Sequence, residues 1–99
     1  MKARDLRKYL YKNLNQFGRH VKYFGAVGAS ENGIPDIHVC FLGKYFAIEL
    51  KAGKDTLSGI QTEVLREYSE AGAETYVIKT KEQIDNLIEY MFSHSAEIA

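Results

Sequence analysis

The chain has 99 residues, 45% of them apolar, a length that allows one domain with a modest core and a composition that excludes an extended disordered chain. Lys+Arg and Asp+Glu are equal at 13 each, so net charge gives no reason to expect a polyanion partner, yet residues 1–25 hold Lys2, Arg4, Arg7, Lys8, Lys12, Arg19 and Lys22 against Asp5 alone. No run approaches the roughly 18 apolar residues of a membrane span and the N-terminus has no apolar leader core, so a soluble chain is expected; its single cysteine, Cys40, suits a reducing, cytoplasmic setting.

In chain order, Leu6, Tyr9, Leu10, Leu14 and Phe17 recur at three- and four-residue spacing and predict an amphipathic helix from Arg4 to Phe17, closed by Gly18. Val21 to Val27 is β-branched and aromatic and predicts a strand, ended by the loop Gly28–Gly33. Asp36–Leu42 and Tyr45–Lys51 predict a hairpin turning at Gly43-Lys44. Ser58 with Gln61 three residues on is a capping box, predicting a helix to Ala71 stopped by Gly72. Glu74–Lys79 predicts a fourth strand, and Thr80 with Gln83 caps a last helix carrying Ile84, Leu87, Ile88 and Met91. The order is α-β-β-β-α-β-α, and the β-helix-β crossover makes strands three and four parallel.

The hairpin separates two kinds of face. Ile37, Val39, Phe41, Phe46, Ile48 and Leu50 alternate onto an apolar side that helices must cover. With a two-residue turn at Gly43-Lys44, the other side pairs Cys40 with Ala47, His38 with Glu49 and Asp36 with Lys51. Carboxylates gathered on a sheet repel one another and resist desolvation unless a cation joins them. Two readings follow. The charges pair across the strands, or Asp36 and Glu49 supply hard oxygen ligands for Mg²⁺ while Lys51 serves an attacking water and offsets charge developing on a phosphate.

Pro35-Asp36 followed by Glu49-Leu50-Lys51 resembles the PD-(D/E)XK nuclease signature. Gly33-Ile-Pro-Asp36, Gly43, Ile48-Glu-Leu-Lys51, Ser58 with Gln61, and Gly72 before a short strand are together similar to its virus-type replication-repair branch, VRR-NUC, over essentially the whole chain. The resemblance implies a restriction-endonuclease-like α/β core, a central four-stranded mixed sheet flanked by helices. It implies a Mg²⁺- or Mn²⁺-dependent deoxyribonuclease with Asp36, Glu49 and the Leu50 main-chain carbonyl on the metal, Lys51 serving the water and Gln61 facing the site. Asp5 occupies the position where members often carry an acidic residue near the metal. Stand-alone members resemble junction resolvases and suit a phage or prophage. Branched DNA is therefore the expected substrate and a two-fold homodimer the expected assembly, with Tyr76, the aromatic part of helix one and Met91-Phe92 as interface material. Lys22, Asn32, Lys54 and Ser58 are the expected DNA contacts. Cys40 is expected to pack as a small core residue. The alternatives are a non-catalytic nucleic-acid-binding module of this fold and a small interaction domain whose charged sheet face pairs with itself.

Overall fold

The computed structural model describes residues 1–26 and 32–98. Its elements are α1 (Ala3–Leu14), a 3-10 segment (Asn15–His20), β1 (Val21–Gly25), β2 (Ile37–Phe41), β3 (Lys44–Leu50), α2 (Gly59–Glu70), β4 (Glu74–Ile78) and α3 (Lys81–Ile98). They form one mixed sheet in the order β1-β2-β3-β4, antiparallel except for the β3–β4 pair. The predicted end of the first strand at Val27 and most of the loop after it lie outside the described residues. None of the described helices is long and apolar enough to cross a membrane.

The first predicted helix divides in two. The regular α-helix ends at Leu14, and the 3-10 segment carries Phe17 inward before Gly18, at φ 56°, redirects the chain into β1. Leu6, Leu10 and Leu14, spaced by four, are fully buried against Ile37, Val39, Phe41, Phe46, Ile48 and Leu50 of the sheet and Ile84, Leu87, Ile88 and Met91 of α3. Each such leucine contributes about 1.5–3 kcal/mol by leaving water. Phe17 ties the corner together, with its ring centroid 4.6 Å from those of both Phe41 and Phe92.

The opposite sheet face carries α2. Tyr68 of that helix packs edge-on against His38 at 5.5 Å and stacks with Tyr45 at 6.3 Å, while Ala47 beneath is fully buried. The sheet thus lies between α1 and α3 on one side and α2 on the other. Both capping boxes form as the sequence predicts. Ser58 Oγ accepts from Gln61 N–H at 3.2 Å and Gln61 Oε1 accepts from Ser58 N–H at 3.0 Å. Thr80 and Gln83 repeat the exchange, each at 3.2 Å.

The hairpin register differs from expectation. Its turn is Leu42-Gly43, with φ of 46° and 86°, and Phe41 pairs directly with Lys44. A two-residue hairpin loop of this kind requires positive φ at both central positions, and Gly43 meets that requirement as the second residue, not the first. Lys44 begins β3 and forms a 2.9 Å ion pair with Glu74 of β4. Relative to the predicted pairing the strands slip by two residues, an even step that preserves the faces and changes the partners. His38 faces Ala47 and Cys40 faces Tyr45. Continued by one residue, the same register brings Asp36 opposite Glu49, not Lys51.

Candidate active site

Asp36 precedes β2, in a chain segment held by its neighbours from both sides. Gly33, at φ 80°, lies against the first turn of α2, where an added Cβ would stand 3.0 Å from the Ile60 carbonyl oxygen. Only a residue without a side chain fits that approach. From within the sheet, His38 Nε2 lies 3.1 Å from the Pro35 carbonyl, and its Nδ1 contacts the Tyr45 hydroxyl. With Nε2–H donating to Pro35 and Nδ1 accepting from Tyr45, His38 is neutral and braces the Pro35-Asp36 backbone. Burial holds the ring below its ordinary pKa, while the Pro35 contact acts in the opposite direction. On the far side, Ala26 N–H donates to the Asp36 carbonyl at 2.8 Å.

The Asp36 side chain points to β3. Its Oδ2 accepts a 2.9 Å hydrogen bond from the Leu50 N–H, so the carboxylate is anchored between Glu49 and Lys51 in sequence. Glu49 is only 1% exposed, and its Oε2 is buried without a hydrogen-bond partner. Burial, joined by the neighbouring Asp36 carboxylate, pushes the Glu49 carboxyl up to about 8, and the positive charge of Lys51 opposes that rise. An unpartnered buried carboxylate costs several kcal/mol if it ionises alone. Two carboxylates facing one another, one with an orphan oxygen, are a donor set that suits a hard divalent cation such as Mg²⁺ or Mn²⁺.

The remaining sequence candidates are distributed unevenly around this pair. Gln61 lies in the first turn of α2; its Oε1 is committed to the cap, leaving the side-chain nitrogen as a donor. Ser58 is exposed and caps the same helix. Lys51 continues β3 and is half-buried, its N–H bonded to the Ile78 carbonyl at 2.9 Å. Asn32, Lys54 and Lys22 are exposed. Asp5 lies in the first turn of α1, where its Oδ2 accepts from Lys2 N–H at 3.3 Å. Among the described residues, no three His, Cys, Asp or Glu side chains gather as a ligand set.

Two expectations about packing are corrected. Cys40 is exposed, opposite Lys22 on the β1 side of the sheet face that carries α2. Met91 is fully buried against α1 and the sheet and so offers no interface, whereas Phe92 is 48% exposed. The structure also brings up residues that the motif does not name. The Tyr11 hydroxyl reaches Gly25, where an added Cβ would stand 2.9 Å away, and Asp36 and Arg7 both act on its ionisation, burial being the main cause of its raised pKa. Phe24 lies on the carboxylate side of β1. The alternation in Val21-Lys-Tyr-Phe-Gly25, with Val21 and Tyr23 inward, is the sequence signal that marks it.

No family model matches the chain, and no curated protein matches it. Among solved structures, the chain is similar to Hjc, a Holliday junction resolvase from the archaeal hyperthermophile Archaeoglobus fulgidus, with a TM-score of 0.53 and 30% sequence identity. The match covers 79% of this chain and 63% of that one, so the chain spans less than two thirds of the resolvase's length. The mixed four-stranded sheet and its helices, in the order α-β-β-β-α-β-α, are consistent with a restriction-endonuclease-like fold.

Proposed function

We propose that the protein is a metal-dependent DNA endonuclease of the PD-(D/E)XK type and the VRR-NUC branch, selective for branched DNA such as a four-way junction. The observation that carries this reading is the facing pair Asp36 and Glu49, the latter buried with an unpartnered oxygen, beside Lys51. The Hjc likeness supports it independently through the fold.

Asp36, Glu49 and the Leu50 carbonyl would hold Mg²⁺ or Mn²⁺, which when bound supplies concentrated positive charge beside the scissile phosphate and increases the acidity of water. The chain's own residues do the rest. Leu50 N–H fixes the Asp36 carboxylate so that it need not reorganise when the substrate arrives. Lys51 orients the attacking water with its ammonium and offsets charge on phosphorus as the new P–O bond forms and the bond to the leaving oxygen breaks. Gln61, held by the Ser58 cap, presents its amide nitrogen as a further donor toward the site. Lys22, Asn32, Lys54 and Ser58 meet the DNA backbone.

One copy carries one such site, so symmetrical cutting of a junction calls for a two-fold homodimer, acting in the cytoplasm of a bacterium or phage-infected cell. The test is cleavage of labelled linear, flapped and four-way-junction DNA with Mg²⁺, Mn²⁺ or a chelator, with sedimentation of the free protein alongside. Metal-dependent cutting at least about tenfold faster on the junction, by a protein twice the 11.3 kDa chain mass, is the expected result. No metal-dependent cutting of any substrate contradicts it.

A further inference from the structure

The sheet face that carries Asp36 and Glu49 is only partly roofed by α2. Over β1 it is open, and there Phe24 is 58% exposed. Its ring lies parallel to His38, with centroids 4.9 Å apart and planes 5° apart, and His38 is fixed in turn by Pro35 and Tyr45. Lys22 projects from the same face two residues earlier, opposite Cys40, and between Lys22, Phe24, Cys40 and Tyr45 lies a hollow of about 200 Å³.

A single exposed phenylalanine needs no explanation. A ring held flat on a braced histidine, beside an exposed lysine and on the same face as a carboxylate pair, is a surface for something planar and anionic. Asp36 lies two residues from His38, about 6.6 Å along the strand, a separation on the scale of one or two nucleotide steps. We infer that Phe24 is a stacking platform for an unpaired nucleobase one or two nucleotides from the phosphate at Asp36 and Glu49, with Lys22 on the adjoining phosphate. The inference rests on the nuclease reading for the path of the strand. It gives that reading a substrate class: DNA whose bases are unpaired or opened at the cut, as at a flap, a single strand or a branch point whose pairs the protein parts. In an intact duplex each base is already stacked and cannot reach the ring.

The chain contains no tryptophan, so Phe24→Trp introduces a unique fluorophore. In a chelator, without cleavage, a ten-nucleotide thymidine oligomer quenches the Phe24→Trp emission, and an abasic oligomer of equal length does not. Phe24→Ala, with an unchanged melting curve, weakens binding of the thymidine oligomer about 5- to 150-fold, and binding of a blunt duplex changes less than about twofold. No quenching by thymidine, equal quenching by the abasic oligomer, or equal weakening for duplex and single strand overturns the inference. Stacking without any cutting under Mg²⁺ or Mn²⁺ would remove the nuclease reading and leave the platform; cutting without stacking would do the reverse.

Discussion

The Leu50 amide donates a 2.9 Å hydrogen bond to Asp36 Oδ2, tying the carboxylate before β2 to the segment of β3 that carries Glu49 and Lys51. The pair of carboxylates is therefore assembled by the backbone of the hairpin itself. Asp36→Asn retains the hydrogen-bond acceptor and removes the charge. It is expected to leave the melting temperature within a few degrees of wild type and to abolish Mn²⁺ binding, measured by isothermal titration.

Glu49 makes the metal-free protein sensitive to pH in a defined direction. Its folded-state pKa of about 8 lies above the ordinary 4.5, so between those values the native state holds a proton that the unfolded chain has lost, and stability falls as pH rises. Urea denaturation of the metal-free protein at pH 5, 6.5 and 8 should show that decline, and Glu49→Gln should flatten it. A cation competes with the same proton, so Mn²⁺ affinity should rise across this window with proton release.

Gly33 sets how closely the loop before Asp36 approaches α2. Gly33→Ala places a Cβ 3.0 Å from the Ile60 carbonyl oxygen at a φ of 80°. A cost of about 1–3 kcal/mol is expected, read as a lower denaturation midpoint.

The Ser58–Gln61 cap separates stability from chemistry. Ser58→Ala should cost about 0.5–2 kcal/mol. Gln61→Glu keeps an acceptor for the Ser58 N–H and removes the side-chain N–H donor proposed to serve the site, so it should preserve the melting temperature while slowing cleavage about tenfold or more.

Much of this arrangement was legible in the sequence because its signals are local or strictly periodic. The two capping boxes announced α2 and α3, and the alternation Ile37, Val39, Phe41 against Phe46, Ile48, Leu50 announced the buried face of the hairpin. The pairing was not legible, because Gly43 serves either as the first or the second residue of a tight turn, and the chain places Leu42 at positive φ, which leucine rarely adopts. The slip was by two, so Asp36, Glu49 and Lys51 kept their common face while their partners changed. Asp5 shows the other limit: a carboxylate in a first helical turn reads equally as a ligand and as an acceptor for backbone N–H donors, and here its Oδ2 accepts from Lys2 N–H.

Asp36, Glu49 and Lys51 are proposed to form one phosphodiester-cleaving site. Its most direct test is single-turnover cutting of a labelled four-way junction in Mg²⁺ by wild type and Lys51→Ala, with junction binding measured in parallel. The expected cleavage rate is lower by about 10²-fold or more in the variant, with binding changed by less than about fivefold. Equal cleavage rates in the two proteins would contradict it.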